Sequence, residues 1–392
     1  MVISISRVEP GAAAWTGPRA AEVCAIAGIG VFNLLSIYLV AAKMPASRQA
    51  DRVYPKCRLP RPVRAIATRM RALRYERLGE PTDVIAPAEL PTPEPNAGEV
   101  RLRMLRSPIH NHDLSTIRGT YGVQPPLPAI GGTEMLGVVD AAGSGAALPI
   151  GMRVSAVVQG AWAQYVIAPV SLCVPTPDGV DDDTASQLMA MPLSALILLD
   201  DLRVEPGDWI VQNAANGAVG RIVMRLAQAR GINVLNLVRR ESSASALRAF
   251  GAAHVVVTEG NDWAAEVRAI TGGQRIARVI DSVTGAQSLE LQRVLGHRGE
   301  YVIFGGLAAQ AMRLDPGLMI FNETIVRGFW MTAWMSRASV QERAAAVQKI
   351  FGLALANELP MPVCAVFPLE QGKAAMTAAE QPGRSGKVLL SP

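Results

Sequence analysis

Between residues 198 and about 330, short apolar runs alternate with stretches of helical period. DWIVQNA, residues 208–214, reads as a strand. GAVGRIVMRLAQARG follows, with Val219, Ile222, Val223 and Leu226 at i, i+3, i+4 and i+7, one face of a helix, and Gly231 placed to stop it. INVLNLV is the next strand. HVVVT, RVIDSV and EYVIFGG continue the series, with helices expected over 242–250, 263–270 and near 288–295. Strands that alternate with helices predict an α/β domain built on a parallel, doubly wound sheet.

Residues 70–197 have a different grain. MRALRYERLGEP opens the segment as a strand, and an alternating strand runs from about Val100 to Met104. MLGVVDAAG, GMRVSAVV and WAQYVIAP are further strands, broken by Pro and Gly. The pattern predicts an antiparallel, partly barrel-like domain. Residues 331–392 carry a helix around 341–355 and a closing strand, KVLLS, and are expected to return to the β-rich domain. The organisation is therefore a leader over 1–69, a β-rich domain of 70–197 with 331–392, and an α/β domain of 198–330.

Charge separates the leader from the body. Residues 1–75 hold 12 Lys and Arg against Glu9, Glu22 and Asp51, and the remainder holds 26 basic against 30 acidic residues. The net charge of +5 is thus a leader property, and a mildly acidic body argues against nucleic acid as partner. Within the leader, VCAIAGIGVFNLLSIYLVAA (23–42) carries no charge. Twenty helical residues reach roughly 30 Å, the hydrocarbon thickness of a bilayer. The basic stretch after it would keep the body in the cytosol. Three readings stand: a translated extension outside the native protein, a membrane anchor over 23–42, and an organelle transit peptide. The body is read as cytoplasmic, or as cytosolic behind an anchor. Cys24, Cys57, Cys173 and Cys364 are scattered with no C-x-x-C, which fits a reducing compartment and neither a disulfide framework nor a zinc knuckle.

The loop between the first α/β strand and its helix, VQNAANGAVGR, is the main chemical signal. Ala214, Gly217 and Gly220 form an A-x-x-G-x-x-G spacing, with Asn216 suited to a turn. Free amides and the helix dipole there favour an anion, and small residues let the backbone approach a pyrophosphate. Arg239 and Arg240 end the second strand, where basic groups accept the 2′-phosphate of NADP, so NADPH is the expected cofactor. Glu241 leaves room for dual use.

Three stretches carry a family resemblance: MLRSPIHNHDLSTIRGTYGVQPPLPAIGGTE, IVQNAANGAVGR, and YVIFGGLA followed by IVRGFWMTAW. The chain over roughly 70–392 resembles the zinc-independent branch of the medium-chain dehydrogenase/reductase superfamily. It is most similar to mitochondrial-type trans-2-enoyl-CoA (enoyl-thioester) reductases, with quinone oxidoreductases further off. The resemblance implies a Rossmann-type domain beside a GroES-like catalytic domain. It implies that Tyr121, in a Y-G pair, polarises or protonates the substrate without metal. It implies that Asn216, Gly217, Ala218 and Val219 line the pyrophosphate and that Phe304, Gly305, Gly306 and Leu307 border the nicotinamide. Phe329, Trp330 and Met331 match a segment on cofactor and substrate channel, and Lys387 matches a cofactor-side lysine.

Zinc-dependent relatives carry a Cys where this chain has His110, a His where it has Thr133, and a further Cys or acid near 189–191. Catalytic zinc needs three protein ligands, and His110 with His112 do not supply them, so both read as loop histidines and no metal is expected. Asp113 and Glu134 are assigned no proton transfer. Met191 stands where the enoyl reductases have an asparagine, and Arg240–Glu241 reverses an Asp–Arg order. The implied function is NADPH-dependent reduction of the C=C bond of α,β-unsaturated thioesters or enones. The alternatives are NADPH:quinone reduction and, in another class, a non-catalytic nucleotide-binding protein. Relatives imply a homodimer, with FGGLAAQAMRLD able to pair edge strands.

Overall fold

The computed structural model describes residues 69–260, 262–359 and 361–392. The apolar stretch 23–42 lies outside them. Among the described residues no helix is long and apolar enough to cross a membrane.

Eight strands come first: β1 (Arg69–Tyr75), β2 (Ala86–Pro91), β3 (Glu99–Pro108), β4 (Ala129–Ile130), β5 (Glu134–Ala142), β6 (Arg153–Val157), β7 (Tyr165–Pro169) and β8 (Cys173–Pro175). Six more follow in alternation with helices: β9 (Trp209–Gln212), β10 (Asn233–Val238), β11 (His254–Val257), β12 (Ile276–Asp281), β13 (Glu300–Ile303) and β14 (Ile325–Gly328). β15 (Val363–Pro368) and β16 (Lys387–Ser391) close the chain. The described residues divide into two units. One comprises 69–189, 363–381 and 387–392; the other comprises 190–362 and 382–386. Residues 190–197 and 331–362, which the sequence pattern groups with the β-rich domain, thus fall in the unit that holds β9–β14.

In the β-rich unit the main sheet runs β15-β16-β3-β5-β6-β8 with β7 also on β3, and a second runs β2-β1-β4. Pairing is antiparallel except for β15 on β16, which is parallel. The core is the inward face of these strands: Leu73, Leu102, Met104, Met135 and Trp162 are fully buried. Trp162 explains one glycine pair. A Cβ on Gly131 or Gly132 would come within 2.3 Å of its indole, so only a bare backbone fits beneath the ring. The indole N–H donates to Pro108 O at 3.2 Å, which ties the end of β3 to the segment entering β5.

The other unit is a six-stranded sheet in the order β11-β10-β9-β12-β13-β14, with every pairing parallel. Counted from β9 this is 3-2-1-4-5-6, the Rossmann order. The helix Ala218–Ala229 buries Ile222, Val223 and Leu226 against it, with Val219 half-buried at the loop end. Gly231 follows the helix at φ +68°, the left-handed stop its position predicts. The sequence pattern did not reveal the helix Met191–Asp201. It is buried from Pro192 to Leu199 on all sides, so it has no polar face for periodicity to show.

Candidate active site

The order of the sheet reverses between β9 and β12, and dinucleotides bind at the carboxyl ends of strands at such a switch point. Here the two strand ends are bolted together. Asn213, just past β9, donates from Nδ2 to Asp281 Oδ1 at 2.6 Å and accepts the Ser282 N–H at 2.7 Å. Asp281 is fully buried and also accepts the Val283 and Thr284 amides, each at 2.8 Å, and the Tyr301 hydroxyl at 2.5 Å. Burial, and then the charge of Asp281, push the Tyr301 phenol far above its ordinary pKa, so it stays a donor.

The loop beyond Asn213 turns through Ala214, not Asn216. Ala214 has φ +48°, a left-handed conformation that costs a non-glycine residue strain. Gly217 is the helix N-cap at an ordinary φ of −72° with no side-chain cap, which leaves the amides of Ala218, Val219 and Gly220 for an outside acceptor. Gly220 is required by space: a Cβ there would lie 2.6–2.9 Å from the backbone of Ala215. Asn216 Oδ1 is held by Arg221, at 2.6 Å from Nη2 and 3.2 Å from Nε. A bare helix amino end, with Gly220 pressed against the loop backbone, fits a dinucleotide diphosphate.

Arg239 and Arg240 are both exposed just beyond β10, and neither forms an ion pair among the described residues. Glu241 is engaged elsewhere, 2.6 Å from Arg248 Nη1. Gly305 and Gly306 follow β13. Gly305 is held tight, since a Cβ would meet Ser282 O at 2.9 Å, whereas Gly306 stands in the open. Leu307 is exposed. Phe304 stacks on Phe329 with ring centroids 6.1 Å apart. Phe329 and Trp330 line a pocket of about 260 Å³ with Ile303 and Arg327, and Met331 Sδ accepts the Ser194 hydroxyl at 3.0 Å. Lys387 belongs to the β-rich unit, buried at the start of β16.

In the β-rich unit the helix Asn111–Arg118 carries the polar residues. His110 is its fully buried N-cap and His112 lies in its first turn, so neither is a loop histidine. The His110 N–H donates to Asp113 Oδ2 at 2.8 Å, and His110 Nε2 lies 2.7 Å from Glu134 Oε2. Glu134 Oε1 accepts the Met189 N–H at 2.5 Å. The Thr133 hydroxyl donates to Asp113 Oδ1 at 2.7 Å and lies 2.6 Å from His112 Nε2. The rings of His110 and His112 stack at 5.0 Å, and Tyr121 continues the column 5.6 Å beyond His112. Gly119 ends the helix in the left-handed region, and the Thr120 and Tyr121 amides donate to Ser115 O, which fixes the backbone of Tyr121.

No cluster of three or more His, Cys, Asp or Glu arranged for a metal ion exists among the described residues. His110 Nε2 faces a carboxylate, and Thr133 and Met189 supply no zinc ligand.

Residues 96–178 match the alcohol dehydrogenase GroES-like domain and residues 218–349 match the zinc-binding dehydrogenase domain. The human mitochondrial enoyl-[acyl-carrier-protein] reductase is 30% identical over 337 residues, 82% of this chain and 89% of that protein. The chain belongs to the medium-chain dehydrogenase/reductase superfamily. Among solved structures, a putative NADPH:quinone reductase from Bacillus thuringiensis aligns with a TM-score of 0.78 at 26% identity, over 83% of this chain and 100% of that one. A mycobacterial protein complexed with NADPH aligns with a TM-score of 0.74 at 26% identity, over 82% and 100%.

In this medium-chain reductase the sequence pattern brings the loop of β9 and the end of β10 into view, but not Asn213, Asp281 and Tyr301. An acid at the end of RVIDSV looks like any strand terminus. The only available signal was its place at the strand end flanking the switch point. The Asp113–Thr133–His112 chain was hidden for a different reason: its links join residues 20 and 21 positions apart in sequence.

Proposed function

We propose that this chain reduces the C=C bond of α,β-unsaturated thioesters or enones with NADPH. Bound NADPH supplies the hydride that adds to the β-carbon. The α/β unit holds the dinucleotide through the amides at the start of Ala218–Ala229 and through Arg239 and Arg240, whose charge suits a 2′-phosphate. Tyr121 in the β-rich unit donates to the charge that develops on the substrate oxygen or protonates the α-carbon. The observation that carries this reading is Tyr121 itself, its backbone fixed and its ring packed on a polar column that lacks a zinc-ligand set. The curated relative's name supports the thioester class.

The test is NADPH oxidation against crotonyl and longer enoyl-thioesters, enones and quinones, with NADH in parallel. Turnover of thioesters or enones, preferring NADPH and indifferent to chelators, is the expected result. Turnover of quinones alone would shift the assignment to the second reading, which the names of the solved neighbours and Met191 favour. Binding without any turnover would overturn both.

We also infer a homodimer formed through the edge of the parallel sheet. β14 is one edge of that sheet; Ile325 at its start and Ile320 and Phe321 at the end of the preceding helix, Pro316–Phe321, are 55%, 68% and 81% exposed apolar residues. Phe321→Asp is expected to convert a dimer to a monomer in light scattering without loss of helical circular dichroism. A wild type that is monomeric at micromolar concentration would end this inference. We place the catalytic body in a reducing compartment, on the scattered cysteine pattern.

A further inference from the structure

Among the described residues the buried arginines are Arg101 and Arg221. Arg101 is balanced by Asp140 and Glu94. Arg221, the fourth residue of the helix Ala218–Ala229 and 9% exposed, has only neutral partners. Its side chain turns back past the N-cap, and Nη2 and Nε donate to Asn216 Oδ1 at 2.6 and 3.2 Å. Nη1 donates to Ser385 O at 3.3 Å, and the guanidinium carbon stands 5.2 Å from the centroid of the Phe250 ring. Arg225 approaches the same ring to 5.4 Å and brings a second cation, not a counter-ion. Desolvation draws the Arg221 pKa below its ordinary value, but a guanidinium stays charged in a protein. A buried cation without a carboxylate, beside the positive end of a helix dipole, costs stability unless an anion joins it.

The same bonds settle which way the Asn216 amide faces. A guanidinium has donors and no acceptor, so the atom turned to Arg221 is the oxygen. What remains is Nδ2, which only donates and makes no hydrogen bond among the described residues. It belongs to the loop that ends in the uncapped amides of Ala218, Val219 and Gly220. We propose that Arg221 is a positioning residue for the NADPH diphosphate: it holds the Asn216 oxygen inward, leaves Nδ2 to donate to the diphosphate, and adds its unbalanced charge to that of the helix end. The inference rests on the cofactor part of the reading above, not on its substrate.

The experiment uses calorimetry to measure Kd for NADPH and for adenosine 2′-phosphate, which keeps the adenine and the 2′-phosphate but lacks the diphosphate. The ligand-free melting temperature is recorded beside them, for wild type, Arg221→Met and Asn216→Asp. Methionine keeps a contact with Phe250 and removes the charge. In Arg221→Met, NADPH binding is expected to weaken about 10–100-fold, the span of a lost hydrogen bond to a charged group, while adenosine 2′-phosphate binds as before. In Asn216→Asp the new carboxylate pairs with Arg221, so the melting temperature rises while NADPH binding falls at least as far. Undiminished NADPH affinity in Arg221→Met overturns the proposal. So does an equal loss for both ligands, or a melting temperature that falls with them, since either makes Arg221 a fastening of the fold alone. If Arg221→Met does not fold, undiminished NADPH affinity in Asn216→Asp overturns the proposal instead. A wild type that binds NADPH but reduces no thioester or enone ends the substrate reading and leaves this inference standing; one that binds no NADPH ends both.

Discussion

Replacing Tyr121 by Phe is expected to lower kcat for enoyl-thioester reduction by about 10²–10⁴-fold, the usual span for a lost general acid. The substitution removes one oxygen and little else. The Tyr121 amide still donates to Ser115 O and a phenyl ring still packs beside His112, so the loop that follows the helix should keep its path. A group that acts only in the transition state changes kcat and leaves KM nearly alone. Quinone reduction accepts hydride without needing a positioned acid and should largely survive, so the ratio of the two activities is the informative number. Steady-state kinetics on both substrates decides it. A loss under about tenfold in the thioester reaction would remove Tyr121 from the chemistry and leave its contact with His112 as packing.

Asp281→Ala should produce the largest loss of stability in the α/β unit. The carboxylate receives the Asn213 amide, two backbone amides and the Tyr301 hydroxyl with none of its surface exposed. Alanine leaves the Asn213 amide and the Tyr301 hydroxyl buried without an acceptor, and the half-buried Val283 and Thr284 amides without their partner. Each orphaned buried group costs on the order of 1–3 kcal/mol, so the two of them together cost roughly 2–6 kcal/mol. Asp281→Asn keeps one acceptor oxygen and should lose roughly half as much. Chemical denaturation measures the difference. Because Asn213 then loses its anchor at the start of the cofactor loop, NADPH affinity should fall with stability, and calorimetry on the Asn variant separates the two effects. A melting curve for the Ala variant within a degree or two of the wild type would show that water or relaxation replaces the lost carboxylate.

The α/β alternation was legible because each helix there has one buried and one solvated face, as in Ala218–Ala229, and each strand is a short apolar run. Met191–Asp201 was not, since a helix apolar on every side carries no period. The β-rich unit was legible as strands but not in pairing: nothing in KVLLS says that β16 meets β15 in parallel and β3 antiparallel. At the candidate site, composition exposed residues that must be small or basic. Gly220 and the arginine pair belong to that kind. It did not expose residues that matter through a partner, such as Asp281 or Thr133, because serine, threonine and aspartate in a loop have many local uses. The same limit pointed to Asn216 as suited to a turn, when it is Ala214 that takes the left-handed conformation.

The indole of Trp162, seated on Gly131 and Gly132, has a corollary. It moors the backbone leading to Thr133 and Glu134 from below, through contacts that owe nothing to the proline-rich stretch between Tyr121 and Ala129. That stretch is partly exposed; Gln124 Nε2 donates to Tyr121 O at 3.0 Å, and Pro126, Leu127 and Pro128 are exposed. Substitutions over 125–128 are thus expected to leave Thr133 and Glu134 in place.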